Sequence, residues 1–354
     1  MIFRAAGRWD AVASIALLCA SLIAGVVAPA GAAGTPALTA VGVREIEYVS
    51  GGRTLTLNLF YPAAPTPAMK PMVTPFFINL KLYRDAPISA RLERYPLVMF
   101  SHGRGSNGFV YAWFAQYLAA RGYVVAAPNH YRANSYDSNV VYLANKLWQR
   151  PVDIGLDITH LLHDPLWGPR IDAGRIGVAG HSQGGFTALW VGGARVNAEK
   201  YLAFQRGWRG NLQIPASLRA QLPVDAGPAL DVRDRRVKAV FAMAPGVVKV
   251  FGMDETGLRA LTVPTFITVG AGDTVTLPAD NAEFAAKYVP NAKLLVIPGR
   301  AGHNVYVNEC DAESKAELPE MCADDPGVDR AAIHAQVGAA ALQFFNASLA
   351  VRQH

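Results

Sequence analysis

The chain has 354 residues, 51% of them hydrophobic and only 17% charged, with 32 glycines and 23 prolines. Disorder needs low hydrophobicity with high charge, and a coiled coil needs far more Glu, Lys and Arg, so both are excluded. The formal charge of +6 is spread thinly, without a Lys/Arg block; this does not describe a nucleic-acid binder and at most favours an acidic surface or partner.

Arg4 and Arg8 precede an apolar stretch over 11–28, and small residues follow from Ala28 to Ala33. A basic head, an apolar middle and an Ala-x-Ala exit read as a secretory signal peptide over 1–32, cut after Ala30 or Ala32. The alternative is a retained anchor, since the stretch is about long enough to span a bilayer. Leu18 before Cys19 is the wrong size for a lipid-attachment signal. The expected product is an exported chain, periplasmic or secreted, with no stable membrane insertion after cleavage.

One domain is expected over 40–350. Strands are predicted over 43–49 and 54–60, joined across Ser50, Gly51 and Gly52 as a hairpin. A Pro-rich loop follows over 62–75, then an irregular segment to 95. The short apolar run 97–101 suits a buried strand. Helical spacing over 109–121 ends at Gly122, a helix-stop signal. A strand over 123–127 is stopped by Pro128. A helix is predicted over 151–164 with Pro151 at its first position, then a strand over 175–181 and a helix over 183–194. Further strands fall at 237–243, 264–270 and 292–297, and helices at 278–288 and 331–349. Eight strands with intervening helices imply a mostly parallel α/β sheet covered on both faces. The rhythm breaks over 195–236, which reads as a cap or lid insertion, or else as a long surface loop.

The sharpest motif is Gly180-His181-Ser182-Gln183-Gly184-Gly185, which fits G-x-S-x-G between a strand and a helix. A serine on so tight a turn is held in strained backbone geometry, and its neighbours must lack bulky side chains. The turn makes Ser182 the candidate nucleophile and aims the Gln183 N–H of the helix N-terminus at an oxyanion. Such a serine needs a base, and the base an orienting carboxylate. Asp273 follows the strand 264–270 on a glycine-loosened loop, and His303 follows the last core strand. His102 and His130 end earlier strands and are expected to line the substrate site or its foundation. The His181 side chain should point away from the nucleophile. His334 reads as a helix-surface residue and His354 as terminal; His160 and His163 lack a third metal ligand nearby, and no metal is expected. The loop 101–106 should supply a second oxyanion donor, the Arg104 N–H. Phe109 and Trp113 are candidate pocket aromatics, with packing of their helix on the sheet as the alternative.

These segments resemble the α/β-hydrolase superfamily, in its dienelactone-hydrolase-like and platelet-activating-factor-acetylhydrolase-like branch. The resemblance rests on YPLVMFSHGRGS, ARGYVVAAPNH, RPVDIGLDITHLL, RIGVAGHSQGGFTAL, RVKAVFAMAPG, VPTFITVGAGDTVTLP and IPGRAGHNVYV, spread over about 95–307. It implies an α/β-hydrolase fold, a Ser182–Asp273–His303 triad with backbone donors at Arg104 and Gln183, and no cofactor. Dienelactone hydrolases carry a cysteine nucleophile; the serine here favours ordinary ester hydrolysis of a small-molecule or polymeric substrate. Lipase, phospholipase, polyester hydrolase and peptidase activities stay open, as does a catalytically silent binding protein. Oligomeric state is not legible. Cys310 and Cys322, close together in an exported chain, are expected to form a disulfide.

Overall fold

The computed structural model describes residues 38–225 and 231–350. Residues 1–32, read as a signal peptide, and His354 lie outside them. Strands β1 (Ala40–Ser50) and β2 (Arg53–Ala63) form the expected hairpin. Gly51 and Gly52 both have positive φ, 57° and 75°, as a two-residue turn matched to the twist of its strands requires. The segment to 95 is less irregular than expected: it contains β3 (Leu82–Arg84), which pairs parallel with β1. Among the described residues the sheet therefore has nine strands, not eight; a three-residue edge strand carries too little periodicity to be recognised.

The chain continues through β4 (Tyr95–Ser101), α1 (Ala112–Ala119), β5 (Val124–Asn129), α2 (Gln149–His163), β6 (Ile171–His181) and α3 (Gln183–Gly192). The insertion follows as α4 (Ala198–Gly210) and α5 (Ala216–Gln221), and then β7 (Val237–Met243) and α6 (Glu255–Arg259). The remainder is β8 (Thr265–Gly270), α7 (Ala282–Tyr288), β9 (Lys293–Ile297), α8 (Ala312–Glu317), α9 (Pro319–Cys322) and α10 (Arg330–Ser348). Strand order is β3-β1-β2-β5-β4-β6-β7-β8-β9, and β5 to β9 of this row run parallel.

All seven residues of β4 and all six of β5 are buried, which accounts for their unbroken apolar character. From β4 the chain steps one way through α1 to β5, then back across β4 through α2 to β6. Right-handed crossovers in opposite directions put α1 and α2 on opposite faces. Helix α3 shares the face of α2, and α10 packs beside α1. The reversal opens a crevice at the C-terminal ends of β4 and β6, where ligands bind in open parallel sheets.

Candidate active site

Ser182 occupies that crevice. It directly follows β6 and opens α3, with φ 56° and ψ −122°. A non-glycine residue there is strained and persists only when its surroundings enforce it. The enforcement is visible. The Ser182 N–H donates to the Met243 carbonyl at 3.0 Å, and the Ser182 carbonyl accepts from Phe186 N–H at 3.1 Å and Gly246 N–H at 2.8 Å. A Cβ on Gly180 would stand 2.2 Å from the Gly184 carbonyl oxygen, and one on Gly184 would stand 1.8 Å from that of Ser101. The two glycines let the turn press against the end of β4.

Asp273 and His303 come from the loops after β8 and β9. Those loops are stitched together by Ala271 N–H to the Ile297 carbonyl at 2.8 Å and Gly272 N–H to the Ala301 carbonyl at 3.0 Å. Asp273 Oδ1 accepts from the Val275 and Thr276 N–H groups at 2.9 and 2.8 Å. Its Oδ2 accepts from Thr276 Oγ1 and from His303 Nδ1, both at 2.8 Å. Burial alone acts most strongly and upward on this carboxyl, but the His303 bond and the Thr276 donors together hold it below the ordinary carboxylate range. Asp273 is thus an ionised acceptor held against His303 Nδ1.

Ser182 and His303 line one cavity of about 830 Å³. Among the described residues Ser182 Oγ has no hydrogen-bonding partner; such contacts commonly tighten only when substrate is bound. Arg104 lines the same cavity, and its N–H makes no backbone hydrogen bond among the described residues, whereas the preceding Gly103 N–H is taken by Tyr111 Oη at 3.2 Å. The Gln183 N–H is the first of α3 and has no partner within the helix. The rest of the wall is largely apolar: Phe76, Phe77, Phe109, Val275, Leu318 and Met321.

Phe109 lines the cavity; Trp113, His102 and His130 do not. The predicted helix over 109–121 opens with a 3₁₀ turn at Gly108–Tyr111, and this change of winding turns Trp113 toward α10. There its indole stacks on His334, with ring centroids 3.8 Å apart and planes 2° from parallel, and its Nε1–H donates to the Tyr306 carbonyl at 2.7 Å. His334 is accordingly buried rather than on a helix surface. His102 and His130 end fully buried strands, and their rings turn into the layer beneath the site. The His130 N–H donates to His102 Nε2 at 3.3 Å, and His130 Nε2 meets Ser101 Oγ at 2.8 Å. Helix α2 begins two residues before Pro151, at Gln149, and the insertion 195–236 does not line the cavity among its described residues. It reaches the mouth through Trp208, whose ring lies 5.5 Å from the Arg104 guanidinium carbon.

Several residues of the site are not among the candidates read from the sequence. Tyr111 Oη receives the Gly103 N–H and contacts His181 Nδ1 at 2.9 Å, while His181 Nε2 contacts the His303 carbonyl at 3.0 Å. This line ties an oxyanion loop, the neighbour of Ser182 and the backbone of His303 together. Arg150, buried at the start of α2, and Thr276 beside Asp273 are the other two. A cation in the first turn of a helix opposes the helix dipole, and that was the one available signal for Arg150.

A serine on a strained strand–helix turn, followed in chain order by an aspartate and a histidine on neighbouring loops at the strand ends, is the α/β-hydrolase arrangement, and the α/β-hydrolase fold is the fold of this chain. Residues 68–149 match the family model described as platelet-activating factor acetylhydrolase, isoform II. A ferulic acid esterase from Streptomyces cinnamoneus superposes with a TM-score of 0.60 at 21% identity, over 93% of this chain and 94% of its own. A dienelactone hydrolase from Anabaena variabilis gives 0.47 at 17%, over 86% and 99%. Est1E from Butyrivibrio proteoclasticus gives 0.46 at 14%, over 84% and 98%. The first superposition shows the shared fold. The family match is a likeness to platelet-activating factor acetylhydrolase, isoform II, over residues 68–149.

Proposed function

We propose that the protein is a serine carboxylic-ester hydrolase working through an acyl-enzyme. The observation that carries this reading is the strained Ser182 sharing a cavity with a histidine whose Nδ1 is bound to a buried, ionised aspartate. His303 Nε2 takes the Ser182 proton as Oγ attacks the acyl carbon. Asp273 holds the imidazole tautomer and offsets the charge that forms. The Arg104 and Gln183 N–H groups stabilise the tetrahedral oxyanion, each worth roughly 3–4 kcal/mol of barrier. His303 then protonates the leaving alcohol, and a water activated at the same nitrogen releases the acid. The match to an acetylhydrolase family and the fold shared with an esterase support ester chemistry.

Ser182→Ala should abolish turnover of p-nitrophenyl acetate and butyrate, and labelling by a fluorophosphonate probe, while the protein stays folded. Wild-type turnover in that variant would refute the assignment, and an unlabelled but folded wild type would favour a silent binding protein. A second reading, a lipase or polyester hydrolase, is favoured by the apolar rim: Phe76, Tyr136, Val275 and Leu318 are all more than half exposed around the mouth. Turnover of polymer films or emulsified long-chain esters decides between the two. Export, periplasmic or secreted, is read from residues 1–32 alone and is checked by the first residue of the mature chain.

A further inference from the structure

Arg150 is 2% exposed, and among the described residues no carboxylate stands at ion-pair distance from its guanidinium. Burying such a charge without a bonded partner is costly. Its place makes the choice stranger. It lies in the first turn of α2, where a cation opposes the dipole, and Trp148 at the N-cap contributes no side-chain cap. Local structure therefore gives no reason for an arginine here, and the reason lies in what the guanidinium holds. Nη1–H donates to Gln183 Oε1 at 2.6 Å, and Nη2–H donates to the His102 carbonyl. Gln183 carries one candidate oxyanion N–H. His102 begins the loop whose Arg104 carries the other. Arg150 does not line the reaction cavity.

We infer that Arg150 is a positioning residue that clamps the two halves of the oxyanion hole at a fixed separation; this rests on the hydrolase reading above. The two loops belong to different strand ends and touch through bare backbone, with Gly184 packed against Ser101 and His102. The planar fork of a guanidinium reaches one acceptor on each loop at once, which a lysine ammonium on a flexible stem does not reproduce. Two N–H donors act together on an oxyanion only when their spacing matches it to within a fraction of an ångström. The clamp also sets a positive charge behind both donors.

The test measures Arg150→Met and Arg150→Lys beside Ser182→Ala, on p-nitrophenyl butyrate and on its thionoester, whose larger sulfur fits an oxyanion hole poorly. For Arg150→Met kcat on the oxoester should fall on the order of 10²-fold, the loss typical of a disabled oxyanion donor, with KM unchanged. The oxoester-to-thionoester rate ratio should collapse toward that of the uncatalysed reaction. Arg150→Lys should fall between, and free guanidinium should restore part of the rate to Arg150→Ala. Gln183→Ala keeps its backbone N–H but removes one anchor of the clamp; it should lower kcat and combine non-additively with Arg150→Met. A folded Arg150→Met with wild-type kcat, or with reduced kcat at an unchanged rate ratio, overturns the clamp. If neither arginine variant folds, Gln183→Ala carries the test, and an unchanged ratio there overturns it equally. Activity retained by Ser182→Ala would instead sink the hydrolase reading itself.

Discussion

At the scale of single residues, the proposed mechanism depends on where protons sit. Asp273 accepts four hydrogen bonds through its two oxygens, so its charge and direction are settled before substrate arrives. Asp273→Asn should retain the fold but place an amide against His303 Nδ1, favouring the wrong tautomer. A kcat loss of about 10⁴-fold is expected, as for the same change in other Ser-His-Asp sites, with little change in KM; steady-state kinetics on p-nitrophenyl butyrate check it, and a loss below tenfold would contradict the assignment. Ser182, Asp273 and His303 were legible because each sits on a glycine-bearing loop just past a predicted strand. Tyr111, Thr276 and Arg150 were not. They act through contacts made across the fold, and nothing in their immediate neighbours distinguishes them from ordinary core or helix residues.

At the scale of elements, one wall of the cavity is built from a short stapled segment. Cys310 and Cys322 are disulfide-bonded across α8 and α9, and Leu318, Glu320 and Met321 within the staple line the cavity. The facing segment of this wall, 76–78, is held to the staple by Ile78 N–H to the Glu309 carbonyl at 2.9 Å and Asp311 N–H to the Phe76 carbonyl at 3.0 Å. Arg330, buried at the start of α10, donates Nη1–H to the Asn308 and Met321 carbonyls, both at 3.2 Å, and so grips both ends of the loop. A double Cys310→Ser, Cys322→Ser variant loses the loop-closure constraint, about 3 kcal/mol in the chain-entropy account. Its melting temperature should drop by on the order of 5 °C for a domain of this size. KM for bulky esters should rise more than KM for acetate, because the wall loosens while Ser182 and His303 are anchored elsewhere. Differential scanning calorimetry and a chain-length series measure both effects; an unchanged melting temperature would show that packing alone holds the segment.

At the scale of the whole molecule, the interior is rich in titratable groups. Burial, first among the causes in each case, pushes His102, His130 and His181 well below the ordinary value of 6.5 and His334 down to about 3. Below pH 6.5 the unfolded chain binds protons at these positions that the native chain refuses. Stability therefore rises with pH across this window and is lost as pH falls through it. Burial also pushes Asp153 up to about 7 and Asp157 well above its ordinary value. Between pH 3.8 and 7 the native chain holds those protons and the unfolded chain does not, an effect of opposite sign. Four histidines outnumber two carboxyls, so acidification from pH 6.5 to 5 should destabilise the protein by on the order of 2 kcal/mol per pH unit. Urea midpoints across this range measure it, and a flat or rising midpoint on acidification would contradict the reading.

The sequence by itself determined the mostly parallel α/β architecture, the strained serine turn, and the places of an aspartate and a histidine on the loops that follow later strands. These are local or periodic properties: apolar runs of strand length, glycines where no Cβ fits, and loops that follow strands. Only the tertiary structure decided which aromatics line the cavity. One turn of 3₁₀ helix keeps Phe109 in the cavity wall and sends Trp113 to His334, and no pattern of residue types encodes that rotation. It alone also decided that His102 and His130 lie beneath the site, and that a buried arginine joins Gln183 to the His102 carbonyl. Those outcomes depend on which strand ends become neighbours, and neighbourhood across a sheet is set by the order in which the whole chain winds.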